Sequence, residues 1–280
     1  MEEGILGRHK EEIADYLVNY GYEPFNVHPV ALVPTGPCLY GLDGPNEPLH
    51  YVGIHMMDTN DCLEHPDWRP RVQVIKNRFN LTDGDITEVP AGVKGGDIQL
   101  DTFELWKFVT LYTRGSAVAY ELLYMPTVHC DPGAESLFGM MREGATNRIG
   151  KTARDYAIHV WRKDRTNRKK TVMTYYRLMQ AVCFLKEEDF QWDTHLLLEY
   201  MGGIPRLTSA GTTVINLYNE PEHRESPVSK LLQTTVSEEI SGLIDEVDRA
   251  GISTKLPDQV PPKILLAIRE KIKQTRSRML

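Results

Sequence analysis

Hydrophobic positions follow two regimes along this chain: short, strand-like runs before residue 126 and helical spacing after it. Over residues 8–20, Ile13, Leu17 and Tyr20 recur at helical spacing, which predicts an amphipathic helix stopped by Gly21. Val30, Ala31, Leu32 and Val33 form a short apolar run ended by Pro34, Gly36 and Pro37, a buried strand feeding a tight loop. Residues 49–57 alternate roughly and predict a second strand. A polar stretch covers 58–95, with turn signals at Asp83-Gly84 and at Gly95-Gly96. Residues 97–100 read as a third strand. A helix is predicted to open at Asp101, with Asp101 or Thr102 as its cap.

Beyond Pro126 the helical spacing is clearest over 134–142, 150–163, 168–187, 194–201, 227–249 and 262–278. The polar, proline-bearing stretches 218–227 and 253–262 are candidate linkers, and no internal repeat occurs. Strands followed by helices make an α+β pattern. It divides into a strand-bearing domain over 1–126 and a mainly helical domain over 127–280.

Composition adds constraints. The 280 residues are 41% hydrophobic and 25% charged, as in an ordinary globular protein. No apolar run approaches the length of about 18 residues that a membrane span needs. Met1, Glu2 and Glu3 are unlike the start of a secretory signal, and Cys38, Cys62, Cys130 and Cys183 form no CxxC pair. A cytoplasmic protein with free thiols is expected. Net charge is −7, yet Arg142 to Arg177 holds eleven Lys or Arg against Glu143, Asp155 and Asp164, a local +8. Arg162, Lys163, Arg165, Arg168, Lys169 and Lys170 are its densest part, the candidate phosphate-binding residues. A cationic band on an acidic chain suits a nucleotide, RNA or acidic protein partner. Trp161, Tyr175 and Tyr176 lie close by in sequence and could stack bases. The bland alternative is a solvated helix face with those rings in the core.

Residues 36–56 run Gly-Pro-Cys-Leu-Tyr-Gly-Leu-Asp-Gly-Pro-Asn-Glu-Pro-Leu-His-Tyr-Val-Gly-Ile-His-Met. The segment resembles the signature of the RNA-ligase-associated predicted nucleotidyltransferases, a branch of the polymerase-β superfamily found in bacteria and phages. Gly36, Tyr40, Gly41, Leu42, Pro45 and Gly53 fall in register with that pattern without a gap. The resemblance extends over about residues 30–125 and implies a nucleotidyltransferase-like mixed sheet with helices. It places the metal-binding aspartates of the family at Pro48 and His50, and the third carboxylate at Asp97. Pro37 stands where the family has serine and offers a phosphate neither hydroxyl nor N–H.

Nucleotidyl transfer uses paired Mg²⁺ ions bridged by carboxylates, and Mg²⁺ demands hard oxygen ligands. Proline supplies none and histidine is a softer nitrogen donor. Asp83 with Asp85, or Asp58 with Asp61, are the spaced acidic pairs that could replace the lost set. His50 and His55 are five apart, on opposite sides of a strand, and make no joint metal site. G-x-S-x-G, Walker A and H-E-x-x-H motifs are absent. The expectation is a catalytically degenerate nucleotidyltransferase-fold protein acting by binding, with no cofactor. The alternatives are an active enzyme using Mg²⁺ and NTP through a displaced carboxylate set, and a nucleotide-independent inhibitor or assembly protein.

Overall fold

The computed structural model describes residues 14–15, 17–21, 27–35, 49–57, 74–80, 97–202, 210–219 and 226–279. Five strands form one mixed sheet: β1 (Val27–Thr35), β2 (Leu49–Met57), β3 (Val74–Asn80), β4 (Asp97–Glu104) and β5 (His129–Cys130), in the order β3-β4-β2-β1-β5. Only β2 and β4 run parallel; every other neighbouring pair is antiparallel. The protein is therefore α+β, as the two hydrophobic regimes predict.

Helices α1 (Leu105–Thr113), α2 (Ala117–Tyr124), α3 (Pro132–Glu143) and α4 (Arg148–Tyr156) follow. A π-helical turn, Ala157–Trp161, then leads to α5 (Arg168–Glu187), α6 (Thr194–Gly202), α7 (Ala210–Asn219), α8 (Lys230–Ser253) and α9 (Pro262–Met279). Helix α5 is the hub, buried on most of its circumference and packed by α4, α6, α7 and α8. One hydrophobic cluster joins Val33, Val52 and Ile54 of the sheet to Phe108, Tyr120, Phe184 and Ile268. The other sheet face buries Leu32, Tyr51, Ile98 and Leu100, so β2 is buried on both sides over 51–56 while Gln99, Asp101 and Phe103 of β4 stay half-buried.

Several boundaries differ from the sequence expectations. The first helix is described only at 14–15 and in a π-helical turn, Leu17–Gly21, that ends at Gly21 as expected. Strand β1 does not stop at Pro34. Val30 and Leu32 turn their carbonyls toward the β5 side, accepting from Asp131 N at 2.8 Å and Val128 N at 2.9 Å. By alternation Pro34 points the same way, so its missing N–H falls outside the β1–β2 ladder. Pro29 sits at a bulge, where the register shifts between Pro29 and Ala31.

The third strand runs to Glu104, four residues beyond its expected end, because 98–104 pair in parallel with 49–55. Glu104, not Asp101 or Thr102, caps the helix that follows, its carboxylate accepting from Trp106 N at 2.6 Å. Strand β3 lies inside the polar 58–95 stretch, and α7 lies where no helix was expected. Tyr218, at the head of the first candidate linker, is a buried residue of α7. The second linker is pinned: Asn147 N donates to Pro257 O at 3.0 Å, and Arg148 Nε donates to Asp258 O at 2.8 Å.

Candidate functional site

The parallel β2–β4 pair brings together the one segment for which the family resemblance implies chemistry. His50 stands between Thr35 of β1 and Gln99 of β4. Its Nε2 lies 3.2 Å from Asp101 Oδ2, and Gln99 Nε2 donates to the same oxygen at 3.4 Å. The pair is partly open, with 26% of the His50 side chain and 14% of the Asp101 side chain exposed. Asp97 begins β4 opposite Asn80. Gly53 is buried in β2 between Leu32 and Thr102. Gly36, Tyr40, Gly41, Leu42 and Pro48 lie outside the described residues, as do Asp58, Asp61, Asp83 and Asp85.

Asp101 is the residue that sequence reading misplaced. Read as a helix cap, it is a strand residue facing His50. The signal for it was the alternation of Ile98 and Leu100 carried on by β-branched Thr102, which leaves Asp101 on the opposite face. A carboxylate, an amide and an imidazole are a poor donor set for Mg²⁺, which favours hard oxygens in octahedral array. Among the described residues no group of three or more His, Cys, Asp or Glu is placed to share a metal ion.

His55 faces the opposite way, as alternation requires, with Nδ1 2.9 Å from Thr102 Oγ1. It is fully buried, its Nε2 has no hydrogen-bond partner among the described residues, and burial lowers its pKa to about 4. The folded state therefore refuses a proton that the unfolded chain accepts near its ordinary value of about 6.5. Stability present above that value is lost as pH falls toward about 4. Between about pH 7.5 and about pH 5 the expected loss is about 2 kcal/mol. Urea midpoints should show it, and His55→Gln should flatten that part of the profile. An equal acid slope in the variant would assign the effect elsewhere.

The basic band is only partly a band. Arg162, Lys163, Arg165 and Lys169 are exposed. Arg168 is instead buried, with Nη2 donating to Pro227 O at 3.3 Å, and Lys170 pairs with Asp164 at 3.0 Å. The nearby rings are core residues: Trp161, Tyr175 and Tyr176 are each at most 3% exposed. Two cations of the band meet that cluster: Arg165 Cζ lies 5.0 Å from the Trp161 ring centroid and Arg177 Cζ 5.4 Å from that of Tyr176.

The first turn of α5 carries charges that run against its dipole, while Lys186 in its last turn suits it. Helix N-termini favour acids and C-termini favour cations. Yet Arg168, Lys169 and Lys170 form the first turn, which holds no acid. At the other end Glu187 closes the helix, and Glu188 follows in a left-handed conformation at φ 57°. Beside that end lies an open pocket of about 350 Å³ lined by Glu187, Asp189 and Glu199 with Cys183, Leu196 and Tyr200.

The architecture defines an α+β protein on a five-stranded mixed sheet, and no helix among the described residues is long and apolar enough to cross a membrane. No protein-family model matches the chain, and no curated protein matches it. Among solved structures it is similar to a nucleotidyltransferase-like protein from Exiguobacterium sibiricum 255-15. The identity is 9%, over 86% of this chain and 77% of that one, with a TM-score of 0.29. Similarity at that level carries no functional argument.

Proposed function

We propose that this is a nucleotidyltransferase-fold protein that binds a partner in place of transferring a nucleotide. The observation that supports it is the contact between His50 on β2 and Asp101 on β4. At the position where the resemblance calls for a metal-binding aspartate, an imidazole occupies a lone pair of the neighbouring strand's carboxylate. That hydrogen bond occupies a carboxylate oxygen that a Mg²⁺ site at this position would need. The exposed cations between Arg162 and Lys169 then supply the binding surface, for a nucleotide, an RNA or an acidic protein.

The direct test offers each of the four labelled NTPs with Mg²⁺ to the protein alone, to RNA and to a partner protein. No incorporation into any acceptor is expected. Metal-dependent labelling that vanishes in Asp97→Ala or Asp101→Ala would overturn the reading and establish an enzyme with a displaced carboxylate set.

A further inference from the structure

The cations of residues 162–170 meet a second segment in three dimensions. Val228 N donates to Thr166 O at 2.8 Å, and buried Arg168 reaches Pro227 O from the same side. These bonds clamp the starts of α5 and α8 next to one another. Around the junction Arg162, Lys163, Arg165, Lys169 and Lys230 are exposed, and Leu231 stands 87% exposed in the first turn of α8.

Folding alone does not favour this arrangement. Lys230 opens α8 as Arg168 opens α5, and neither first turn contains an acid. Asp164 offsets Lys170 at 3.0 Å in α5, whereas Lys230 presents an exposed cation to the end of the α8 dipole that repels it. A cation placed against local stability, where two helices are held together by hydrogen bonds and beside exposed Arg162, Lys163 and Arg165, marks a surface shaped for something outside the fold. An anionic partner relieves that conflict on docking.

The choice of anion follows from what surrounds the charge. Single-stranded nucleic acid is held by cations together with rings on which bases stack. Trp161, Tyr175 and Tyr176 are in the core and offer no such face. The remainder of the chain outside Arg142 to Arg177 carries −15, which repels a long polyanion wherever it runs past the cations. A short acidic segment ends where the cations end, and an apolar side chain on it has Leu231 to cover. We propose that the junction of α5 and α8 is a docking surface for an acidic protein segment bearing apolar residues. The proposal rests on the binding reading above and names its partner.

The test titrates the full chain, by fluorescence anisotropy at two salt concentrations, with three labelled probes of equal charge. They are a peptide of glutamates with leucines at helical spacing, a polyglutamate peptide and an oligouridine. The leucine-bearing peptide is expected to bind tightest. Lys163→Glu combined with Lys230→Glu should weaken it roughly tenfold or more, with the larger loss at low salt. Lys230→Glu alone should raise the thermal midpoint, since an acid then opens α8. Leu231→Ser should weaken the leucine-bearing peptide severalfold and leave polyglutamate unchanged. Oligouridine binding as tightly as the peptide would overturn the proposal in favour of a nucleic-acid surface. Peptide binding that is absent, or indifferent to both variants, would overturn it as well. Neither result bears on the labelling experiment, and metal-dependent labelling would leave this surface intact.

Discussion

Alanine in place of Arg177 is expected to cost about 3–5 kcal/mol of folding stability, since it leaves an acid buried without its countercharge. Arg177 grips Glu121 with both nitrogens of its fork, Nη1 on Oε1 and Nη2 on Oε2 at 3.3 Å. It also donates to Gln180 Oε1 at 3.2 Å and lies 5.4 Å from the Tyr176 ring centroid. The contact ties α2 to the hub helix. Glu121 is 3% exposed, so solvent does little to screen the charge once Arg177 is gone. Urea unfolding followed by circular dichroism measures the loss. Combining Arg177→Met with Glu121→Gln should recover a large part of it, because no lone charge then remains inside. A loss below about 1 kcal/mol for Arg177→Ala would show that the pair behaves as a surface salt bridge.

Gly115→Ala is expected to cost about 3 kcal/mol or more, from two separate causes. The residue turns the chain between α1 and α2 at φ +74°, a conformation that L side chains seldom adopt. A methyl group there would stand 2.5 Å from Arg148 Cβ and 2.6 Å from the Arg148 carbonyl carbon. The second obstacle is backbone, so no rotamer change relieves it. Thr152 Oγ1 donates to the Gly115 carbonyl, and any shift of α4 to make room would also disturb that bond. Thermal unfolding of the variant checks the magnitude. Gly115→Asn separates the causes, because asparagine tolerates the backbone angle but still brings a Cβ against Arg148. A near-normal midpoint for Gly115→Asn would place the whole cost in the backbone conformation.

The parts of the fold legible in the sequence are those where local pattern and burial agree. Strand β2 matches its predicted bounds, and so does α5, whose N-cap Asn167 accepts from Lys170 N at 2.9 Å. Failures came where neighbours outweighed local preference. Thr212, Thr213, Val214 and Ile215 favour strands, yet they are helical in α7, with Val214, Ile215 and Tyr218 buried. Strand β3 carries Lys76, Asn77 and Arg78, charged and polar residues typical of an outer strand, which hide its alternation. The site followed the same division. The cations at 162–170 could be read from the chain. That Arg168 turns inward, or that Lys230 and Leu231 stand beside them, depends on a contact made 59 residues away in sequence. Asp101 was missed because a short polar residue before an apolar run suits a helix cap as well as a strand.

The two prolines of β1 have a consequence for association between molecules. Among the described residues, the outer side of β1 pairs with β5 only at Ala31 and Leu32. Beyond them Pro34 offers an incoming strand no N–H, and at the other end the bulge at Pro29 twists the edge out of register. A second chain could not extend this sheet by continuing the ladder past β5. An edge blunted in this way protects a β-branched, apolar strand from templating fibrils or runaway edge-to-edge oligomers. The prolines that look like strand terminators in the sequence thus act as guards against aggregation in the folded protein.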